Sequence, residues 1–234
     1  MTGAALSWKV FDANPPILTC EYSFGPGTAV ALAVGGQNGL VVVSPPCRVA
    51  PATFDELSRY GEVRALVASN AFHHLGIPEW KARFPSAEIF APAQAIARVE
   101  KRSGLRGIRP LSEAASVTGP RVQLVDMPHY KTGEVLVRIT TDRGLVWYVT
   151  DVIMNLPALP KHPVAKMMFG LTRSGPGLKF NNIAPLFMVA DKKALRRWVS
   201  EEFRKSPPQW LIPAHGEIVD FGATPGAARL FGPV

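Results

Sequence analysis

The chain has 234 residues, of which 47% are apolar, and a formal net charge of +8. This length suits one large domain or two small ones, and the composition excludes a disordered or fibrous protein. The longest apolar runs are too short to span a bilayer, and residues 1–10 lack the pattern of a secretory signal. Cys20 and Cys47 stand alone, without CxxC spacing. We therefore expect a reducing compartment, the cytoplasm, and no thiolate metal site; a single disulfide is the less favoured alternative.

Residues 1–115 are predicted to form strands first and then alternating strands and helices. Gly- and Pro-rich turns separate four β-rich runs, which indicates a meander. The predicted strands are residues 6–11, 17–24, 30–34, 40–43, 63–68 and 87–91, and the predicted helices are residues 54–60, 77–83 and 93–102. The alternation implies a sheet that is partly parallel and covered by helices.

Residues 116–234 repeat this order. The predicted strands are residues 121–126, 135–140, 145–150 and 210–214, and a strongly amphipathic helix is predicted over 191–205. Between them, residues 155–190 contain five prolines and no clear period, so we predict a lid-like insertion there. The two halves are taken as paired layers of one domain.

Three of the predicted strands end in residues that can bind a metal. The first leads into His73 and His74, the second ends at Asp151, and the third ends at His215. Ligands bind open sheets at the carboxyl ends of their strands, so these side chains are expected to meet. Imidazole and carboxylate groups suit one divalent metal, zinc before iron or manganese.

The order of these stretches resembles the metallo-β-lactamase fold, an α/β protein built as a four-layer αββα sandwich. Residues 74–76 match the end of that family's His-x-His-x-Asp-His-x-Gly loop. Residues 129–134 resemble its next histidine turn, residues 149–151 its strand ending in aspartate, and residues 214–216 its final Gly-His-Gly strand end. The resemblance spans most of the chain in the family's order and implies the fold.

The chain also departs from the family's pattern. The first two loop histidines fall on Ser69 and Ala71, and the loop aspartate falls on His73. The later histidine falls on Tyr130, and the usual aspartate after the fourth strand is replaced at Ser44. The first metal position therefore looks dismantled. An Asn-x-x-His-His loop followed by tryptophan resembles a divergent subgroup, which implies a fold but no activity.

The second metal position of the family maps onto His73, His74, Asp151 and His215, which the resemblance implies as metal ligands. Because the side chains of adjacent residues normally diverge, we expect His74 on the metal and His73 as a second ligand or as a support for the ligands. We assign catalytic roles to His73 and Asp151 and add His129 as a proton carrier, because imidazole titrates near neutrality. The resemblance implies a single-metal hydrolase of a small ester or thioester. The alternatives are a catalytically inactive binding protein of this fold and a nucleic-acid-processing relative.

Basic residues form two clusters along the chain. The clusters are Lys101, Arg102, Arg106 and Arg109, and Lys161, Lys166, Arg173 and Lys179. They suit phosphate, anionic lipid or an acidic small molecule. We favour a solvated basic surface, because no stripe with interleaved aromatic residues is present. The expected partner is a small-molecule substrate; nucleic acid is a less favoured partner, no membrane contact is expected, and the oligomeric state stays open.

Overall fold

The computed structural model describes residues 5–25 and 27–232. The strands in this part of the chain are β1 (Lys9–Ala13), β2 (Pro16–Ser23), β3 (Thr28–Gly35), β4 (Leu40–Val43), β5 (Val63–Val67), β6 (Glu88–Ala91), β7 (Arg109–Pro110), β8 (Val122–Asp126), β9 (Val135–Thr141), β10 (Gly144–Val149), β11 (Ile153–Leu156), β12 (Gly177–Phe180), β13 (Trp210–Pro213) and β14 (Val219–Asp220). The α-helices are α1 (Pro51–Ser58), α2 (Ile77–Arg83), α3 (Ile96–Ser103), α4 (Ala115–Thr118), α5 (Pro163–Leu171) and α6 (Lys192–Lys205).

The strands form two large sheets and one small hairpin. In the first sheet β1 to β7 lie side by side in chain order; the pairs from β1 to β4 are antiparallel and those from β4 to β7 are parallel. In the second sheet the order is β14-β13-β10-β9-β8, and β10 and β13 run parallel. The small hairpin pairs β11 with β12. The parallel pairs matter most here, because their carboxyl ends share one edge.

Three hydrophobic clusters lie between these layers and hold them together. The central cluster joins the inner faces of the two sheets, with Val67 from β5 and Tyr148 from β10 among its members. A second cluster packs α1, α2 and α3 on the first sheet, and a third packs α6 on the second sheet. Alternate strand residues face opposite sides of a sheet, so the central strands of both sheets, such as β4, β5, β10 and β13, each supply two clusters. The αββα sandwich expected from the sequence is confirmed.

Helices α1 and α6 illustrate how local sequence sets the element bounds. The helix predicted at residues 54–60 instead begins at Pro51, because proline is well suited to the first helical turn. Helix α6 begins after Asp191, whose side chain accepts hydrogen bonds from the backbone N–H groups of Lys193 and Ala194. Its buried apolar face then fixes it on the second sheet.

The segment 155–190 has more regular structure than its sequence suggested. The hairpin of β11 and β12 encloses α5, and a 3-10 turn follows at Ala184–Leu186. None of the nine residues of α5 is buried, so the helix lies on the outside of the protein. Whether the segment acts as a lid stays a prediction. Cys20 and Cys47 are buried free thiols.

Candidate metal centre

The candidate site lies where the two large sheets meet at one end. Strands β10 and β13 pair in parallel up to Val149 and Pro213, so Asp151 and His215 emerge side by side two residues later. His215 Nδ1 lies 3.0 Å from the carbonyl oxygen of Thr28, at the start of β3 in the other sheet. The site therefore depends on both sheets and on their parallel strands.

Asn70 shapes the loop that brings His73 to this edge. Its side-chain oxygen accepts hydrogen bonds from the backbone N–H groups of Phe72 at 2.8 Å and His73 at 3.0 Å. Its amide nitrogen donates to Asp151 Oδ2 at 2.7 Å and to Glu134 Oε2 at 2.8 Å. All four hydrogen-bonding positions of this fully buried side chain are used. Asn70 thus holds the histidine loop and the aspartate in one frame.

His73 and His215 converge on Asp151. His73 Nε2 lies 3.5 Å from Asp151 Oδ2, and His215 Nε2 lies 3.3 Å from Asp151 Oδ1. One ligand atom from each of the three residues can be chosen so that all lie within 4.8 Å of one another. Two ligands that share a tetrahedral zinc ion at about 2.1 Å are separated from each other by about 3.4 Å. The spacing of this group fits a shared cation.

The surroundings of the two imidazoles leave their Nε2 atoms facing the carboxylate. Thr28 offers only a carbonyl oxygen to His215, so Nδ1 carries the proton and Nε2 of the neutral ring carries the lone pair. His73 Nδ1 is buried and has no hydrogen-bond partner among residues 5–25 and 27–232. A lone pair that faces a carboxylate requires a proton or a cation between them. The donor set therefore fits a metal ligated by imidazole and carboxylate.

The charges of the group reinforce each other. Burial raises the pKa of Asp151, but the His73 charge and the hydrogen bonds from His215 and His73 outweigh it and hold that pKa well below its usual range. Burial lowers the pKa of His215, but its hydrogen bond to Asp151 and the charge of that carboxylate leave the pKa raised. Without a metal, a proton on His215 thus takes the place of a cation.

Glu134 is a second carboxyl group directly behind Asp151. It is fully buried, and its Oε1 accepts hydrogen bonds from the backbone N–H of Asp151 at 2.9 Å, from the backbone N–H of Thr150 at 3.1 Å and from the Thr150 hydroxyl. Burial, followed by the charge of Asp151, raises the pKa of Glu134 to about 8. Glu134 therefore fixes the backbone at the end of β10 and adds little negative charge at neutral pH.

A cavity of about 490 Å³ opens above the group. The His73, His74, Asp151 and His215 side chains line its floor together with apolar residues; the apolar lining comprises Tyr22, Phe24, Phe72, Leu75, Phe187 and Met188. Arg98 and Arg102 on α3 add two positive charges. The guanidinium carbon of Arg98 lies 4.6 Å from the centre of the Phe72 ring, which orients it at the cavity wall.

Comparisons with known proteins agree with this architecture at the level of the fold. A metallo-β-lactamase from Pontibacter korlensis superposes with a TM-score of 0.63, at 12% identity, over 98% of this chain and 100% of the other. A metallo-β-lactamase from Erythrobacter litoralis gives 0.60 at 13% identity, over 99% and 94%. The chain has the metallo-β-lactamase fold. A flavo di-iron protein mutant from Thermotoga maritima gives 0.66 at 12% identity, covering 99% of this chain and 61% of that one. No family model and no curated protein matches the sequence.

The residues that the resemblance sets against missing motif residues of the family are packed side chains in this structure. The hydroxyl groups of Ser44 and Ser69 lie 2.7 Å apart, and both residues are fully buried. Ala71 is buried as well, and Tyr130 packs into the cluster beneath the second sheet. None of these four residues carries an imidazole, so the candidate ligands in this region are His73, Asp151 and His215.

The structure divides the residues predicted for the site into three groups. His73, Asp151 and His215 lie together. His74 lines the same cavity but does not join this group; burial and then the charge of Arg98 lower the pKa of His74. His129 is exposed and does not line the cavity, and its backbone carbonyl accepts a hydrogen bond from Ala190. Its place at the surface gives no support to a role as proton carrier.

Sequence reasoning missed several residues that build the site. Glu134 was read only as part of a turn, although a carboxylate directly before an apolar strand was a signal that it enters the core. Asn70 was weighed only as a loop residue. Arg102 was seen as surface charge and Arg98 was not singled out, although their spacing of four places both on one face of α3. Phe187 carried no signal, because only the folded chain brings it to the cavity.

Proposed function

We propose that this protein is a metal-dependent hydrolase with a single-metal site formed by His73, Asp151 and His215. Zinc suits the two imidazoles and one carboxylate best, and iron or manganese is the next choice. The observation that carries the proposal is the approach of two imidazole Nε2 atoms, at 3.3 and 3.5 Å, to one carboxylate. Both distances are long for hydrogen bonds to a carboxylate, and they suit ligands that share a cation.

A divalent cation bound here would activate water and polarise a carbonyl oxygen. The chain's own residues supply the rest of the site. Asp151 is the only anionic ligand, and Asn70 fixes its orientation. Thr28 fixes the ring of His215, which matches the usual support of a metal-bound histidine by a carbonyl. The lowered pKa of His74 keeps its imidazole neutral at neutral pH, so it can hold a hydrogen bond to substrate at the cavity floor.

The cavity supports a small substrate with an apolar part and a negative charge. Its lining combines aromatic side chains with the cations of Arg98 and Arg102, while Asp151 is the only acidic side chain that faces it. Neither arginine forms an ion pair with any residue in the described part of the chain, so both are free to attract an anion. We propose an ester or thioester that carries a carboxylate on its acyl or leaving group.

Two measurements test this proposal. Elemental analysis and zinc titration calorimetry should show one zinc per chain, and His73→Ala should abolish this binding. His162→Ala removes an exposed histidine outside the cavity, so it is the matched control and should bind zinc like the wild type. Hydrolysis of 4-nitrophenyl hemiesters should then depend on zinc and stop on chelation. Zinc binding that survives in His73→Ala would disprove the assigned site.

The second candidate function is a catalytically inactive binding protein of the same fold. The fully buried Ser69 favours it, because the resemblance sets this residue against a ligand histidine of the family, and its hydroxyl instead lies 2.7 Å from that of Ser44. It predicts that zinc or an anionic ester binds without turnover. Metal-dependent hydrolysis that is lost in Asp151→Asn would reject it. We also propose a cytoplasmic location, since the two buried cysteines are free thiols.

A further inference from the structure

Helix α5 presents an apolar face to solvent. The face consists of the large side chains spaced as i, i+3, i+4 and i+7, with exposed fractions of 60%, 59%, 38% and 78% for Val164, Met167, Met168 and Leu171. This spacing places all four on one side of the helix. The opposite side packs only loosely on the protein, through the half-buried Ala165 and Phe169. An apolar stripe on an outer helix indicates a contact with something outside the chain.

The segment around this helix is strongly basic. Residues 152–190 contain four basic side chains and no aspartate or glutamate; the basic residues are Lys161, Lys166, Arg173 and Lys179. All four are exposed, and within the described part of the chain none forms an ion pair. Half of the net charge of +8 thus lies in the segment that carries the apolar face.

Charge decides between the partners that such a face can take. A second copy of the chain would bring four positive charges against four, so self-association through this face is opposed. Nucleic acid would satisfy the charge but would leave the aliphatic stripe in water. An anionic lipid surface satisfies both features, because basic side chains pair with headgroups while apolar side chains enter the acyl boundary.

We propose that α5 docks the protein on the surface of an anionic bilayer. The nine-residue helix is about 14 Å long and lies along the membrane plane with Met167 and Leu171 directed into the lipid. None of the helices in residues 5–25 and 27–232 is long and apolar enough to cross a bilayer, so the contact is peripheral. From the sequence we expected no membrane partner; the exposed face of α5 changes that expectation.

Vesicle sedimentation of the full chain tests the proposal. The protein should sediment with vesicles made of equal parts phosphatidylcholine and phosphatidylglycerol, and much less with phosphatidylcholine alone. Met167→Gln/Leu171→Gln should weaken binding about tenfold or more, because two apolar side chains no longer enter the lipid. Lys161→Glu, just before the helix, should weaken it about tenfold or more through the change of two charges, and this effect should shrink at high salt.

Val10→Gln is the matched control, since Val10 is an exposed apolar residue on β1, far from α5 in the sequence, and it should bind like the wild type. All substituted side chains are exposed, so circular dichroism should show unchanged folding. Three outcomes would overturn the proposal. These are no binding to the anionic vesicles, equal loss of binding in Val10→Gln, and a dimer that Met167→Gln/Leu171→Gln dissociates.

Discussion

Replacing Asn70 with alanine should destabilise the protein and weaken its metal site together. The substitution removes two hydrogen bonds donated to Glu134 and Asp151 and two accepted from the backbone of Phe72 and His73. Each buried polar group that loses its partner costs about 1–3 kcal/mol. Glu134 is fully buried and cannot recover a partner from water, whereas Asp151 and His73 retain some exposure. We therefore expect a loss of about 2–4 kcal/mol in the free energy of unfolding.

Urea denaturation of the zinc-free protein measures this loss as a lower midpoint with an unchanged slope. Asn155→Ala is the matched control, because its amide donates one hydrogen bond, to the Glu217 carbonyl at the surface. It should cost less than about 1 kcal/mol. If Asn70→Ala cost no more than Asn155→Ala, the argument that Asn70 holds the loop and Asp151 in one frame would be refuted.

Asn70→Asp separates the geometry of this frame from its charge. The new carboxylate keeps the acceptor for the backbone N–H groups but places a negative charge beside Glu134 and Asp151. Three neighbouring carboxyl groups repel one another, so the zinc-free variant should become more stable as the pH falls and the group takes up protons. Added zinc should recover more stability in Asn70→Asp than in Asn70→Ala, which thermal unfolding with and without zinc will show.

Three further predictions concern the charges of the site. In zinc-free protein, Asp151→Asn should cost most stability between about pH 4 and 6.5. The lowered pKa of Asp151 stabilises the fold in full above the unfolded pKa of that group, and the raised pKa of His215 does so in full below the unfolded pKa of the imidazole and loses the effect as the pH rises through the folded value. Urea denaturation across this pH range measures the difference between the two proteins. Zinc affinity should fall as the pH drops through the raised pKa of His215, since the proton and the metal compete for Nε2, and calorimetry in several buffers should detect the released proton. Arg98→Gln and Arg102→Gln should each raise KM for an anionic ester about two- to fivefold and leave KM for a neutral ester unchanged, with Arg106→Gln as the control.

The sequence predicted the sandwich because its signals were local. Turn residues and apolar periods marked most strands of both sheets, and parallel pairing followed from the alternation of strands with helices. Helix α5 was missed, although Val164, Met167, Met168 and Leu171 have helical spacing. Prolines and glycines around this short helix obscured its period. In addition, an apolar period of 3.6 residues usually indicates a buried helix face, whereas the apolar face of α5 is exposed to solvent.

The sequence predicted the part of the candidate site that lies at the ends of the strands. Asp151 and His215 follow parallel neighbours, so the topology alone brings them together. Sequence reasoning favoured His74 as the ligand, but the structure places His73 with Asp151 and His215, because adjacent residues in a loop point in directions that depend on its turn. The Asn70 hydrogen bonds make that turn and direct His73 toward Asp151. His129 was placed by alignment with a motif, and its positive φ of 67° shows a local turn that sequence spacing does not reveal.

The balance of charge explains how a group of two imidazoles and two carboxyl groups can be held together and be suited to a cation. Burying Glu134 behind Asp151 would be costly if both carboxyl groups were ionised, and the raised pKa of Glu134 avoids this. Asp151 stays ionised because two imidazoles face it. A dication that displaces the proton from His215 preserves this attraction and adds one positive charge, which also favours ionisation of Glu134. The three residues therefore offer a divalent cation one negative charge and two lone pairs, and the hydroxyl pair of Ser44 and Ser69 carries no charge that would attract a second cation.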